Sequence, residues 1–337
     1  MRTVNFLWYF GFLGLPWPTS ATNEAQFSNQ NISMCSFVQA TNLHLLFPEW
    51  NCVDTAMVPS PNPCSWTGVK CIEYIVVNIS LPNRRITGSV PTAVGYLANL
   101  QYWDMHGNLL KSALPSTIGS LVSLTFLDLS KNKFSSPIPS EIGKLSCLSY
   151  LILSSNSLSS SIPSAIGSLS SSLIHLDFSL NQIISNIPTS IGLLTKLLYL
   201  DLNSNKCFGT IPSSIFLLPA LQYIDISVNL LSSSIPSSIG YLTNIQYLDM
   251  LKNKFTSTIP SSVGQIQGLL YLRLSHNLFQ HSIPSSIGYL SSLSFLDFSS
   301  NLLTGYIPSS IGILRSIQSS TSASTNSLDL FPPQSAS

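Results

Sequence analysis

The stretch that decides the fold is Leu221-Gln-Tyr-Ile-Asp-Ile-Ser-Val-Asn-Leu-Leu-Ser-Ser-Ser-Ile-Pro-Ser-Ser-Ile-Gly240. Its first half alternates apolar and polar residues, which is typical of a strand, and we expect Leu221, Ile224 and Ile226 to point inward. Its second half is a short apolar-Pro segment that ends in glycine. The whole pattern returns along most of the chain.

The apolar-Pro step recurs every 24 residues, with one 25-residue step, at Pro91, Pro115, Pro139, Pro163, Pro188, Pro212, Pro236, Pro260, Pro284 and Pro308. An Asn recurs in step with it, at Asn108, Asn132, Asn156, Asn181, Asn205, Asn229, Asn253, Asn277 and Asn301. The extra residue falls near Ser170–Ser172, where a loop can absorb it. Such a repeat predicts a solenoid, because one turn cannot bury its apolar face and stacked neighbours share a core. We expect the Asn side chains to pair with backbone groups, since an unpaired buried polar group costs about 1–3 kcal/mol.

The unit L-x-x-L-x-L-x-x-N-x-L, followed by Ile-Pro-x-x-Ile-Gly-x-Leu, resembles the plant-type leucine-rich repeat. That family includes receptor-kinase and receptor-like-protein ectodomains and polygalacturonase-inhibiting proteins. Trp50 and the segment Cys64-Ser-Trp-Thr-Gly-Val-Lys-Cys71 resemble its N-terminal cap. The resemblance covers about residues 50–314. It implies an α/β repeat solenoid: a right-handed arc with a parallel sheet on the concave side, a short extra strand beside it and 3₁₀ turns on the convex side.

The chain divides into four segments. A basic start, the apolar run Phe6–Leu15 and a small residue at Ala21 predict a secretory signal peptide over residues 1–21. The cap follows at 22–74, ten repeats at 75–314, and a Ser/Thr-rich tail at 315–337 that we expect to be disordered. We therefore expect a secreted protein of the cell wall or cell surface, with no membrane span.

The repeats depart from the family in two ways. The family usually has Gly four residues after the repeat Asn, and this chain has Gly only at 88, 209 and 305; Ser or His stands at 112, 136, 160, 185, 233, 257 and 281. We expect those residues to extend a strand better than Gly does. No capping sequence follows the tenth turn, so the open edge of the core is left to the tail or to another chain, unless the gene model is truncated.

The six cysteines and two glycosylation sequons allow predictions of disulfides, free thiols and glycan sites. The resemblance implies a Cys64–Cys71 disulfide, and Cys35 and Cys52 are a weaker candidate pair. We expect Cys207 to be a core thiol and Cys147 to be unpaired. The sequons at Asn31 and Asn78 are candidate glycan acceptors if the chain is secreted.

Two columns of side chains are predicted on the concave face, because side chains alternate across a strand. The first is a column of rings: Tyr102, Phe126, Tyr150, His175, Tyr199, Tyr223, Tyr247, Tyr271 and Phe295. The second is mainly acidic: Asp104, Asp128, Ile152, Asp177, Asp201, Asp225, Asp249, Arg273 and Asp297. Carboxylates on neighbouring parallel strands lie about 4.8 Å apart, so some of their pKa values should rise. Tyr beside Asp is suited to ligand binding, because Tyr gives large contact area at low entropic cost.

A plainer interpretation stays open. Tyr-Leu-Asp-Leu-Ser is common in this family whatever the ligand, so the columns alone do not establish a site. The residues that break the columns are better indicators of one: Ile152, His175, Leu180, Val228, Leu251 and Arg273. Val228 and Leu251 lie on neighbouring turns and are expected to form a small apolar patch.

Composition and motifs exclude several classes of function. Lys and Arg number 14 against 13 Asp and Glu, and no basic cluster occurs, which argues against nucleic-acid binding. Seven near-equivalent acids on an open arc do not single out a catalytic residue, so we do not expect an enzyme. No metal-ligand spacing or phosphate-binding Gly loop is present, and no cofactor is expected.

The sequence therefore favours a secreted recognition module that binds a protein, a peptide or a cell-wall glycan on its concave face. Its role would be receptor-like, in signalling or defence, with a membrane-bound co-receptor as a further candidate partner. One alternative is an inhibitor of a secreted polygalacturonase-like hydrolase. Another is an ice-binding or structural surface protein, since regular uncharged Ser/Thr arrays can order water periodically.

Overall fold

The computed structural model describes residues 21–53, 58–59, 62–315, 317 and 319–320. Nearly all of the predicted signal peptide and most of the predicted tail lie outside the described residues. Within the described residues, no helix is long and apolar enough to cross a bilayer.

The N-terminal cap consists of helices α1 (Ala21–Ala40) and α2 (Leu43–Leu46), strands β1 (Cys52–Val53) and β2 (Val58–Pro59), and the 3₁₀ turn Pro63–Ser65. Both predicted disulfides are present, Cys35–Cys52 and Cys64–Cys71. The rings of Trp50 and Trp66 lie 4.7 Å apart, and the Trp50 indole donates a hydrogen bond to the Thr67 carbonyl at 3.1 Å. The cap thereby closes the first edge of the apolar core with aromatic side chains.

The concave side is one twelve-stranded sheet in which successive turns of the chain pair in order. Its strands are β3 (Val69–Ile72), β4 (Ile75–Ser80), β6 (Tyr102–Asp104), β8 (Phe126–Asp128), β10 (Tyr150–Ile152), β12 (His175–Asp177), β14 (Tyr199–Asp201), β16 (Tyr223–Asp225), β18 (Tyr247–Asp249), β20 (Tyr271–Arg273), β22 (Phe295–Asp297) and β24 (Ser319–Ser320). β3 and β4 are antiparallel, and every later pair is parallel, with equivalent repeat positions opposite one another, as in Tyr199 opposite Tyr223. Because the register is fixed, residues that recur at the same position of the repeat form a column across the sheet.

A second set of short parallel strands lies beside the concave sheet, as the family resemblance implies. These strands are β5 (Thr87–Gly88), β7 (Leu109–Ser112), β9 (Lys133–Pro137), β11 (Ser157–Ser160), β13 (Gln182–Ile183), β15 (Phe208–Gly209), β17 (Leu230–Ser233), β19 (Lys254–Phe255), β21 (Gln280–His281) and β23 (Leu302–Leu303). Each turn then passes through a 3₁₀ helix that starts just after the repeat proline: Thr92–Tyr96, Ser116–Ser120, Ser140–Lys144, Ser164–Leu169, Thr189–Leu193, Ser213–Leu217, Ser237–Tyr241, Ser261–Gln265, Ser285–Tyr289 and Ser309–Ile313. The helix Ser164–Leu169 is one residue longer than the others, so the 25-residue repeat is absorbed without disturbing the concave register.

The predicted Asn ladder is confirmed. In a typical turn, Asn205 Oδ1 accepts the backbone N–H of Ile183 at 3.0 Å, and Asn205 Nδ2 donates to the carbonyls of Phe178 and Leu202 at 2.9 and 3.2 Å. Each Asn therefore satisfies backbone groups of its own turn and of the turn before it. In the first turn, where Arg84 stands in place of Asn, the Arg84 N–H is itself bonded to Asn108.

The expectation that Ser extends the strand where the family has Gly is confirmed in four copies: β7, β9, β11 and β17 include Ser112, Ser136, Ser160 and Ser233 and have four or five residues, whereas β5 and β15, which end at Gly, have two. The backbone conformation of the seven non-glycine residues at this position was not predicted. Six of those residues have left-handed backbones, with φ of 74° at Ser112, 75° at Ser136, 63° at Ser160, 73° at Ser233, 66° at Ser257 and 64° at His281. The equivalent Gly209 has φ 77°. The turn geometry therefore demands a positive φ in these copies, and the non-glycine residues carry its steric cost.

The expectation of disorder from residue 315 onward needs correction at one point. Ser319–Ser320 forms β24, which pairs with β22 so that Ser319 lies opposite Phe295 and Ser320 opposite Leu296. The backbone edge that the tenth turn leaves open is thus covered in part by the start of the predicted tail.

Candidate ligand-binding face

The ring column forms a continuous ladder on the concave face. Its nine rings are those of Tyr102, Phe126, Tyr150, His175, Tyr199, Tyr223, Tyr247, Tyr271 and Phe295, and each contacts the next. From His175 to Phe295 the ring centroids are 4.1–4.3 Å apart with nearly parallel planes. The faces of these rings pack against the neighbouring rings, so the ring edges and hydroxyl groups are the parts that a ligand can contact.

The ladder is loosest at Tyr150. Its ring lies 5.7 Å from Phe126 and 5.8 Å from His175, and its side chain is the most exposed of the column at 41%. The same strand carries Ile152 in place of the usual acid. The departure predicted from the sequence at Ile152 therefore coincides with an interruption of the ladder, which separates the stacked pair Tyr102 and Phe126 from the longer run that begins at His175.

The acidic side chains on the concave face have a structural role that was not predicted from the sequence. We call them the carboxylate column, and its members are Asp104, Asp128, Asp177, Asp201, Asp225, Asp249 and Asp297. In every member, Oδ1 accepts the backbone N–H two residues later, as in Asp225 to Ser227 at 2.9 Å. This Asx turn ends the strand. The recurring Asp-x-Ser spacing is the signal that would have revealed it. The second oxygen, Oδ2, is the one that remains for a ligand or a neighbour.

The pKa values in the middle of this column are raised, as predicted, but the main cause is burial rather than repulsion between neighbouring carboxylates. Burial raises the pKa of Asp201 to about 7 and that of Asp249 to about 6, against opposing hydrogen bonds from the backbone of Asn203 and Leu251. The pKa of Asp225 is raised for the same reason. Neighbouring carboxylates add to the effect. Burial likewise raises the pKa of the hydroxyl groups of Tyr199, Tyr223 and Tyr247, which therefore stay protonated and can donate hydrogen bonds.

Arg273 neutralises the far end of the column. Its guanidinium lies 3.4 Å from Asp297 Oδ2 and 3.9 Å from Asp249 Oδ2. At Asp297, burial opposes ionisation, but hydrogen bonds from the Ser299 hydroxyl and backbone N–H, together with the charge of Arg273, hold the pKa of that carboxyl below its ordinary value. The acidic pair Asp201 and Asp225, in contrast, makes no ion pair within the described residues. The two halves of the face therefore offer different charge.

The other residues that break the columns lie at the end of the strands. Val228 and Leu251 are on neighbouring turns, joined by a backbone hydrogen bond of 2.7 Å, but both are only partly exposed, so they form a smaller apolar patch than expected. Leu180 is 53% exposed. Leu180 and Val228 also have positive φ, 52° and 53°, at the position just before the repeat Asn.

A second polar cluster, at the N-terminal end of the face, was not foreseen from the sequence. His106 Nδ1 lies 2.8 Å from Asp104 Oδ1 and 3.8 Å from Asp128 Oδ2. Asp104, His106 and Asp128 together have the chemistry to hold a metal ion. They come from two different repeats, so no local sequence motif contains all three. The signal in the sequence is that His106 occupies a position where six of the other eight turns have Ser.

The remaining predicted sites have mixed outcomes. Cys147 and Cys207 are free thiols, exposed and buried respectively, as predicted, and burial raises the pKa of Cys207 to about 12. The sequon residue Asn31 is only 7% exposed, on α1, and the side-chain oxygens of Asn31 and Asn78 are buried. The folded structure thus lends the glycan prediction no support at Asn31.

The convex side carries one regular feature. The residue after each repeat proline is an exposed hydroxyl in all ten turns: Thr92, Ser116, Ser140, Ser164, Thr189, Ser213, Ser237, Ser261, Ser285 and Ser309. In several turns the residue that follows this hydroxyl donates a side-chain hydrogen bond to the backbone carbonyl of the column residue one turn earlier, as Ser286 does to Ser261 at 2.6 Å. This exposed hydroxyl column is therefore held rigidly at one residue per turn.

Comparison with known proteins identifies the repeats. The Leucine Rich Repeat family matches residues 123–145, 147–169, 220–242, 268–290 and 292–314. A curated relative, a probable inactive leucine-rich repeat receptor-like protein kinase of Arabidopsis thaliana, is 34% identical over 84 residues, which is 24% of this chain and 11% of the relative. The chain thus matches only a small part of that relative's length.

Two solved structures show the same fold over most of the chain. The Arabidopsis receptor kinase HAESA, in complex with a peptide hormone and a co-receptor, is 27% identical with a TM-score of 0.68, covering 87% of this chain and 53% of that one. A plant ice-binding protein is 25% identical with a TM-score of 0.69, covering 83% of this chain and 89% of that one. Both matched structures share the repeat solenoid fold of this chain.

Proposed function

Since the chain is a leucine-rich-repeat protein of the plant type, we propose that it is an extracellular, receptor-like recognition module that binds an extended peptide along its concave face. The observation that carries this proposal is the run of stacked rings from His175 to Phe295 beside the carboxylate column, on an open sheet. The peptide-hormone complex of its structural neighbour supports it.

The dimensions suit an extended chain. Nine strands about 4.8 Å apart give a ladder roughly 38 Å long. An extended peptide advances about 3.3 Å per residue, so about a dozen residues would cover it. Tyr edges and hydroxyls would contact the peptide side chains and backbone. The Oδ2 atoms of Asp201 and Asp225, the first of which also accepts the Tyr199 hydroxyl at 3.2 Å, would receive a basic group.

The test is a binding comparison between two matched variants. The concave variant is Y199A/D201N/Y223A/D225N; Asn keeps the Oδ1 acceptor of the Asx turn while removing the charge. The control is Y241A/Y289A, which removes two rings that are 67% and 69% exposed on the convex side. A peptide that binds the wild type should lose more than 100-fold in affinity with the concave variant, since buried Tyr contacts are typical hot spots. Equal affinity for all three proteins would refute the concave assignment.

One specific observation favours a second candidate, ice binding. The exposed hydroxyl column repeats once per turn over ten turns, and the match to the plant ice-binding protein spans most of both chains. Replacing Ser213, Ser237 and Ser261 by Tyr would break the regular surface. If the wild type slows ice recrystallisation and this variant does not, the convex side is the active face; if the wild type has no effect on ice, this candidate fails. The hydrolase-inhibitor alternative has no comparable observation behind it.

A further inference from the structure

We propose that Asp104, His106 and Asp128 form a binding site for a divalent transition-metal ion of the Zn²⁺ class. Two carboxylates and one imidazole converge from two successive turns, and their candidate ligand atoms all lie within 4.8 Å of one another. The site lies at the N-terminal end of the concave face and does not depend on the proposed peptide ligand.

The spacing of the ligand atoms fits such an ion. Two ligand atoms bound at 2.0–2.1 Å to a tetrahedral Zn²⁺ lie about 3.3 Å apart. His106 Nδ1 lies 2.8 Å from Asp104 Oδ1 and 3.8 Å from Asp128 Oδ2, and these distances fall on either side of that value. Asp104 Oδ1 also accepts the His106 backbone N–H of the Asx turn, and its second lone pair is the one that would bind the ion. Small side-chain rotations therefore suffice. The Asp side chains are 10% and 15% exposed and that of His106 is 31% exposed, so the site is sheltered but reachable.

The imidazole is held in the required orientation by a second residue. Asn83 Nδ2 lies 3.0 Å from His106 Nε2, on the side of the ring away from the two carboxylates. Metal-ligating histidines characteristically use the other ring nitrogen in a hydrogen bond of this kind. With the metal on Nδ1, the Nε2–H would donate to the Asn83 amide oxygen, which requires only an exchange of the amide ends.

A third residue makes room for this arrangement. Gly107 is the only glycine among the residues that immediately precede a repeat Asn. A Cβ at this position would collide with Asn83 Oδ1. His106 departs from the repeat pattern, and Asn83 and Gly107, both at the variable position before the repeat Asn or its Arg84 equivalent, act with it in one place to position the imidazole. The Asx turns explain the aspartates in every turn but none of these three residues.

The ligand set determines the class of ion. Imidazole suits Zn²⁺, Cu²⁺ and Ni²⁺, whereas Ca²⁺ and Mg²⁺ are bound by oxygen atoms alone. Three protein ligands also leave a fourth coordination position open. We therefore expect Zn²⁺ to bind much more tightly than Ca²⁺.

The experiment is titration of tag-free, chelator-treated protein with Zn²⁺ by isothermal calorimetry, with Ca²⁺ as a comparison. The principal variant is His106→Ser, which restores the residue found in most other turns and so preserves the fold. Asn83→Gly removes the orienting amide while keeping the left-handed backbone at that residue, φ 56°. His44→Ala is the matched control, because His44 is an exposed histidine on α2 outside the cluster.

We expect one Zn²⁺ per chain with micromolar affinity, at least tenfold weaker binding in His106→Ser, a 10–100-fold loss in Asn83→Gly, and no change in His44→Ala. Circular dichroism confirms that each variant is folded. Absence of saturable binding below 1 mM would overturn the proposal. So would equal affinity in His106→Ser, or Ca²⁺ binding as tight as that of Zn²⁺.

Discussion

Replacing the left-handed serines by glycine should stabilise the protein. Ser112 and Ser233 have φ of 74° and 73°, and both are exposed, so removing their side chains gives up little packing. A left-handed backbone costs a residue with a Cβ about 1–2 kcal/mol. Part of that gain, about 0.4–1 kcal/mol, is lost again, because glycine increases the conformational entropy of the unfolded chain. We therefore expect Ser233→Gly to raise the free energy of unfolding by about 0.5–1 kcal/mol.

The double variant tests whether the gain is additive. Ser112 and Ser233 are five turns apart, so the two effects should sum to about 1–2 kcal/mol. Equilibrium urea denaturation, followed by the fluorescence of the buried Trp50, Trp66 and Trp103, measures the change as a shift of the midpoint at constant slope.

Two matched variants isolate the backbone effect. Ser234→Gly makes the same chemical change at the next residue, which is also exposed but has no positive φ, and should destabilise. Gly209→Ser reverses the change at φ 77°, where a Cβ would lie 2.5 Å from Asn186 Oδ1, and should destabilise by about 1 kcal/mol or more. If Ser233→Gly and Ser234→Gly destabilised equally, the strain argument would be refuted.

Two further predictions concern the concave side. Because burial raises the pKa of Asp201 to about 7 and of Asp249 to about 6, the folded protein keeps protons that the unfolded chain, with pKa 3.8, releases. Stability should therefore fall as pH rises from 4 to 7 and level off above 7, and Asp201→Asn should flatten this slope; thermal melts across that range check it, and an unchanged slope would contradict it. Asn205→Ala should cost about 1–3 kcal/mol, because it leaves the Ile183 N–H without an acceptor, while the Phe178 and Leu202 carbonyls keep hydrogen bonds from Asn181 and Asn229. Exposed Asn186→Ala should cost little, and similar urea midpoints for the two variants would count against the ladder's role.

The periodicity of the sequence was enough to predict the solenoid, because each turn has the same apolar positions to bury against its neighbours. The concave strand of each turn, the Asn ladder and the ring column all follow from one unit such as Leu221–Gly240, and the structure confirms them. The Cys64–Cys71 disulfide followed from the resemblance to a known cap and is also confirmed.

The details that escaped prediction depend on backbone dihedral angles and on contacts between turns. Ser233 is a poor residue for a left-handed turn, so only the structure shows that the geometry, rather than the residue, sets φ there. The aspartates looked like a binding ridge, but one oxygen of each serves an Asx turn. The cluster of Asp104, His106 and Asp128 was not predicted, because Asp128 joins the other two from the next repeat.

The central claim, that ligands bind along the ring column, is tested most directly by photocrosslinking. The same photoreactive phenylalanine analogue is placed at Tyr223 on the concave face or at Tyr241 on the convex side, and each protein is exposed to extracellular extract. The account predicts a discrete crosslinked partner from position 223 and none from position 241. A partner captured from position 241 alone would contradict it.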